Sequence, residues 1–233
     1  GPRWLPQAGR WLEIAREFSD LDPRRRAGHD PSNRGIMAHR IVLPPSVEPV
    51  TVAFFRDHAK LDGSESDDLL SMYLKAARQS IEHIMQRSIM EQKHAITLDT
   101  FPDAIELQCP SVPSASGDCV LVAAIESLSY YDTAGSKITM SPTAYALDAY
   151  TVPGWVVPAV GTTWPETQAR INAVEVIYTV GLDDADDVPA AIKHVICLRA
   201  SAALENREEL TPSGLSVLPF AERMLDEYRI WNL

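Results

Sequence analysis

The chain has 233 residues, 45% hydrophobic and 23% charged, an ordinary composition for a globular protein of one large domain or a domain carrying an insertion. A net charge of −11 excludes a general nucleic-acid grip, because an acidic body repels a phosphate backbone, although it suits a smooth wall that DNA slides past. No apolar run approaches the ~20 residues of a membrane span, and there is no signal-peptide pattern of basic start, apolar middle and small-residue cleavage site.

Residues 1–36 differ in character from the rest of the chain. They carry seven arginines against five acids, net +2, while residues 37–233 carry fourteen basic and twenty-seven acidic residues, net −13. Trp11, Leu12, Ile14, Ala15 and Phe18 can form one short amphipathic helix, followed by Arg24-Arg25-Arg26 and a Gly/Pro/Asn cluster. Gly1-Pro2 reads as a protease scar and Met37 as a natural start, which makes the segment upstream or vector-derived sequence. The alternative is an arm that docks on a neighbour through Trp4, Trp11 and Phe18. Residues 1–43 are therefore set apart as an N-terminal arm or extension.

Pro44, Pro45 and Pro49 make an extended lead-in to a first helical part, residues 44–92. Thr51 has N-cap chemistry, and Val52, Phe54, Phe55, His58 and Leu61 give a short helix that Asp62-Gly63 ends. Ser64 or Ser66 caps a second helix that runs to about Arg87, with Asp67 and Asp68 at its positive end. Leu70, Tyr73, Leu74, Ala77, Ile81 and Ile84 form its apolar stripe, and Lys75, Arg78, Gln79, Glu82 and Gln86 are expected to face away.

Over residues 93–181 the period changes to that of strands. Ala95–Leu98, Ile105–Leu107, Val120–Tyr131, Lys137–Met140, Ala144–Leu147 and Ala173–Val180 are the candidates. Phe101-Pro102-Asp103, Pro110–Gly117, Asp132–Ser136, Pro153-Gly154 and Gly161–Pro165 read as turns. The expected object is an antiparallel sheet or small sandwich inserted between two helical parts.

Residues 182–233 return to helix. Asp183, Asp184, Asp186 and Asp187 form an acidic loop: a calcium site is conceivable, but the EF-hand spacing is missing and a solvated loop at a helix N-terminus is the simpler reading. Pro189 then opens a helix to about Asn206, roughly 27 Å long, with Ile192, Val195, Ile196, Ala200, Ala203 and Leu204 at helical spacings. Ala191, Leu198 and Ala202 fill the other faces, so it is a core helix around which the chain is organised. Thr211–Gly214 break the chain, and Pro219 opens a last helix through Arg229 with Phe220, Met224, Leu225 and Tyr228 apolar. The aromatic-rich end either folds back on the core or is offered to a partner.

The sequence holds no phosphate-binding glycine loop and no G-x-S-x-G elbow. The histidines at 29, 39, 58, 83, 94 and 194 show no H-x-x-x-H or Cys/His metal spacing, so no metal, cofactor or catalytic residue is assigned. His58, His83 and His194 fall on helices and read as surface or satisfied core residues. Three cysteines make no disulfide framework: Cys197 is a small core hydrophobe, and Cys109 and Cys119 are thiols in a reducing cytoplasm rather than a pair. An enzyme built on unrecognised carboxylates, or a β-region module binding a sugar or peptide on Trp155 and Trp164, are the alternatives to a structural role.

The order of several residue groups resembles the head–tail connector (adaptor) proteins of tailed bacteriophages and gene transfer agents. The carriers are Pro49-Val50-Thr51 with His58 and Leu61, Asp67-Asp68-Leu69-Leu70 leading to Ala76-Ala77-Arg78 and Ile81-Glu82, then Phe101-Pro102 and Ile105-Glu106-Leu107. Tyr130 or Tyr131 with Asp132 and Gly135, Tyr145-Ala146-Leu147-Asp148, Trp164-Pro165, Asn172-Ala173-Val174, Tyr178 and Gly181 come next. Pro189-Ala190-Ala191-Ile192, Asn206-Arg207-Glu208 and Leu218-Pro219 complete the series, which covers about Val50 to Arg229.

That resemblance implies an α+β fold, a bundle of about four helices with an inserted antiparallel β region, and a non-enzymatic structural protein. It implies a ring, typically dodecameric, below the portal of the virion, assembled in the host bacterial cytoplasm. Its partners would be copies of itself, the portal protein, and a head-closure or tail protein, with DNA only passing through the channel and no membrane contact. The portal-binding candidates are Tyr228, Arg229, Ile230, Trp231, Asn232 and Leu233. Another head–tail ring component, such as a head-closure protein, is the nearest alternative.

Overall fold

The computed structural model describes residues 37–118, 121–206 and 219–231. The expectations for residues 1–36, including Trp4, Trp11 and Phe18, fall outside these, as do those for Cys119, Arg207, Glu208 and Leu218.

The helices begin where side-chain oxygens can take up orphan N–H groups. Thr51 accepts a bond from the Phe54 N–H at the start of α1 (Val52–Ala59). Ser66, rather than Ser64, does the same for Leu69 at the start of α2 (Asp67–Met85). Helix α1 stops earlier than Asp62-Gly63, at Lys60, whose left-handed backbone (φ 52°) turns its N–H back onto Arg56 and Asp57. Helix α3 (Ala190–Glu205) follows Pro189. The last helix, α4, is short, Pro219–Arg223, and does not reach Arg229. Beyond it the N–H groups of Leu225 and Tyr228 bond three residues back, to Glu222 and Leu225, which tightens the chain into turns.

Leu70, Leu74, Ala77, Ile81 and Met85 of α2 are buried against Ile192, Val195, Ile196, Cys197, Ala200 and Leu204 of α3. Phe55 of α1 and Leu225 after α4 complete the same apolar cluster. The stripe is as spaced, with two corrections on the face expected to meet solvent: Arg78 is buried, 4% exposed, and the Glu82 side chain beside it is largely buried as well. The arginine is tolerated because Glu48 and Glu82 neutralise it at 2.8 and 2.6 Å.

The polypeptide between α2 and α3 builds two antiparallel sheets, and a strand that precedes α1 adds to one edge of the larger. The larger has the order β1-β2-β8-β4-β5, from Ala38–Leu43, Gln92–Leu98, Val174–Val180, Ala124–Tyr131 and Lys137–Thr139. The smaller has the order β3-β7-β6, from Ile105–Leu107, Gly154–Pro158 and Tyr145–Asp148. Both sheets contribute to one apolar cluster: Ile96 and Leu98, Ile105 and Leu107, Leu128, Val156, and Val174, Val176, Tyr178 and Val180.

Two strands differ from expectation. Residues 38–43, placed in the arm, form the edge strand β1, and all six are exposed, so they carry no alternation to read. Strand β7 is not among the expected strands at all, and it starts on Gly154, where a turn is expected. Glycine is needed there because a Cβ would lie 2.9 Å from Val122 Cγ2 and 3.2 Å from the Asp148 carbonyl.

Where the sheets hand the chain back to the helices, Ser111 is the junction. Its Oγ donates to the Leu121 carbonyl and accepts the Gly181 N–H at 2.7 Å. Gly181 itself sits at φ +94°, with the Met90 carbonyl 2.0 Å from where a Cβ would be, so no other residue fits.

Candidate functional site

The C-terminal residues divide in two. Tyr228 is half-buried against the helical cluster, and its carbonyl accepts the Arg87 Nε–H at 2.7 Å. The Ile230 N–H donates to the Met85 carbonyl at 3.0 Å, so the segment is strapped across the C-terminal end of α2. Arg87 also donates from Nη1 to the Ser111 carbonyl, which ties strap, helix and β region together. Past the strap, Arg229 lies over the Trp231 ring, 4.7 Å from its centroid, and Trp231 is 58% exposed. The terminus thus folds back on the core from Tyr228 to Ile230, and Trp231 stands exposed beyond it. Asn232 and Leu233 lie outside the described residues.

One open depression lies along α2, lined by Asp68, Ser71, Met72, Lys75, Ala76 and Gln79. Met72 and, on α1, Phe54 stand more than half exposed. A small cleft of about 70 Å³ is lined by Ser46, Val47, Met90, Glu91 and Asp183. The acidic loop is exposed and forms a short 3-10 turn, Ala185–Asp187, in which Asp184 caps the Asp186 N–H.

Trp155 and Trp164 make no open platform. Trp164 is half-buried and stacks on Phe101 with centroids 4.7 Å apart and planes 7° off parallel. Its Nε1–H donates to the Asp103 carbonyl, so the ring holds the loop after β2. Trp155 is half-buried on β7 between Glu106 and Asp148.

Two polar centres are buried at least in part. In the first, Glu82 accepts bonds from Arg78, the Ile89 N–H and Gln92. Burial pushes its carboxyl above the usual range despite these three donors and the Arg78 charge. The Glu48 and Glu82 carboxylates hold Arg78 charged, with its pKa raised against the effect of burial.

The second centre was invisible to sequence spacing. Strand β1 pairs with β2 so that Ile41 faces His94 and His39 lies diagonally across, bringing His39 Nε2 to 2.8 Å from His94 Nδ1. Cys109, just after β3, joins them. Burial lowers the pKa of His94 to about 4 and also lowers that of His39, while burial and then the Glu82 charge push the Cys109 thiol up. Residues 39, 94 and 109 belong to no local motif: the β1–β2 pairing, itself unsignalled, brings the two histidines together, and the loop after β3 brings Cys109 to them.

The architecture defines the class: a helical cluster of α1–α4 from which an antiparallel β region emerges between α2 and α3. No protein-family model and no curated protein matches the chain. Solved structures do. The fold is similar to a chain in the virion of a native gene transfer agent particle, at TM-score 0.67 and 21% identity, covering 84% of this chain and 96% of that one. It is similar to a chain in the neck of an empty particle computed with C6 symmetry, at TM-score 0.67 and 20% identity, covering 84% and 97%. A chain in the neck of a native particle computed with C12 symmetry matches at TM-score 0.63 and 21% identity, covering 85% and 97%. At the level of fold, then, the chain resembles gene-transfer-agent neck proteins, as its residue order anticipates.

Proposed function

We propose that this chain is a structural head–tail adaptor: a ring subunit that sits below the portal, extends the DNA channel and gives a head-closure or tail protein its docking surface. The supporting observation is the breadth of the likeness to neck structures. It spans 84% of this chain and 96% of the other, so helical cluster and β region are matched as one object. The C6 and C12 symmetries of those necks support a homo-oligomeric ring, with twelve copies the natural expectation. A body of net charge −13 over residues 37–233 suits a channel wall that must release DNA.

In this reading the chain is a structural subunit and carries out no chemistry. Trp231 with Arg229 is the portal anchor, since an exposed aromatic backed by an arginine is the composition of an interface hot spot. The strap from Tyr228 to Ile230 fixes its direction. The exposed flank of α2 with Met72 is the side presented to the next copy. Sedimentation of the chain alone and with its portal tests this. A ring-sized complex that needs the portal or high concentration is expected, and monomer under both conditions contradicts it. Capture by a tail-side ring but not by the portal would instead make the chain a head-closure component.

A further inference from the structure

We propose that His39, His94 and Cys109 form a zinc site that pins edge strand β1 and the Cys109 loop to the β2–β8 face. Three observations carry this. First, one ring nitrogen of each histidine and the Cys109 Sγ all lie within 4.8 Å of one another, although the residues come from β1, β2 and the loop after β3. A tetrahedral zinc with bonds of about 2.0–2.3 Å needs ligand atoms about 3.3–3.8 Å apart, so a contraction of at most about 1.5 Å closes the shell. The hydrogen bond between the two histidines breaks on binding, since each neutral imidazole has one nitrogen lone pair and gives it to the metal, His94 through Nε2.

Second, His94 is 2% exposed, and its Nε2 has no hydrogen-bond partner among the described residues. The other nitrogen, Nδ1, is taken by His39 at 2.8 Å. A buried imidazole nitrogen left unmatched is unfavourable, and a coordinated cation supplies the missing partner. The neighbouring tyrosine does not: Tyr178, whose ring stands 5.8 Å from that of His94, donates its hydroxyl to the Gln108 carbonyl.

Third, Cys109 is held in place by its own loop. Its backbone is left-handed (φ 51°), its carbonyl accepts the Ser88 Oγ–H, and the adjoining Pro110 carbonyl accepts the Ser88 N–H. The neighbouring Tyr178–Gln108 bond fastens the same loop to β8. The thiol is therefore carried to the histidines by three hydrogen bonds to other elements.

The donor set selects the metal. Two imidazoles and a thiol suit borderline-soft zinc and not calcium or magnesium. On binding, the Cys109 S–H bond breaks and the S–Zn bond forms, the proton leaving to solvent, while both imidazoles bind neutral through lone pairs. His39 is exposed, so the ion enters from the β1 edge and keeps water as its fourth ligand. All six residues of β1 are exposed, and its ladder to β2 is otherwise its main attachment. Zinc would hold the strand that residues 1–36 lead into.

The test is metal binding by the untagged full chain, freed of metal by chelation, using Zn²⁺ and then Co²⁺ as a spectroscopic stand-in. The account expects one Zn²⁺ per chain, a thiolate-to-cobalt charge-transfer band, and a Tm that rises with zinc. Cys109→Ser abolishes the band and, with His39→Asn, weakens binding at least about 100-fold, beyond what losing an outer-shell partner does. His39→Asn changes an exposed residue and keeps the fold if the buried variants do not. Metal bound without the cobalt–thiolate band, or bound equally by both variants, overturns the proposal. So does a wild-type chain that takes up no zinc at micromolar concentration.

Discussion

The helical cluster and the β region are held together in different ways. The helical cluster is assembled from remote pieces of chain, with Val50 and Phe55, α2, Val112, α3 and Leu225 meeting in one core. Its interior carries fixed charge: Arg78 between Glu48 and Glu82, and Arg87 reaching the carbonyls of Ser111 and Tyr228. The buried residues of the β cluster are apolar apart from the Tyr178 hydroxyl, which bonds to the Gln108 carbonyl, although buried His94, Ser129 and Thr179 lie on the same strands, and those strands pair with neighbours throughout. A core closed over long loops loses more chain entropy and so leans on a few directional contacts. A laddered core spreads its stability over many pairs. Damage to single polar residues should therefore be severe in the first and mild in the second.

The largest effect is expected at the crossing between the two. Gly181→Ala places a Cβ on the Met90 carbonyl in a left-handed conformation, and a loss of more than about 4 kcal/mol, seen as failure to reach the native state, is expected. A stable Gly181→Ala variant would show that the crossing relaxes. Next, Arg78→Leu strands two half-buried carboxylates, for about 3 kcal/mol in urea unfolding. Adding Glu48→Gln and Glu82→Gln should restore most of it, and a purely additive loss would mean that the charges are independent.

In the β region, Trp164→Ala removes the stack on Phe101 and should cost about 2 kcal/mol while leaving the helical cluster's hydrogen-exchange protection unchanged. Equal loss of protection in α2 and α3 would merge the two regions into one unit.

The smallest effect is electrostatic. Glu175, on β8, is held below the usual carboxylate range, first by its hydrogen bond to Lys137 and also by Arg40. Its native pKa is depressed, so its contribution is present above about pH 4.5 and lost as pH falls through the native value. With partners about half exposed, less than about 1 kcal/mol is at stake, and Glu175→Gln should flatten that acid limb of the stability curve.

How far each region could be read from sequence follows the same division. The caps at Thr51 and Ser66, the stripe Leu70–Ile81 and the helix from Pro189 are local signals, and the structure places them as spaced. Arg78 escaped because its partner Glu48 is thirty residues away and its other partner, Glu82, shared the face assumed to be wet. Strand β1 escaped because an edge strand with no buried residue has no period. With it went the His39–His94–Cys109 cluster, whose histidines meet through that pairing. The candidate anchor was legible as an aromatic terminus, but its division into a strap and an exposed tip depends on Arg87 and Met85, more than 140 residues upstream.

The central claim is that the chain is a ring subunit seated on a portal, and cryo-electron microscopy of the protein mixed with its own portal tests it most directly. The account predicts a closed ring coaxial with the portal, Trp231 at the portal contact, the α2 flank against the next copy, and loss of the complex on Trp231→Ala with Tm unchanged. Bare portals beside free monomer at saturating concentration, or a ring in which Trp231 faces solvent, would contradict it.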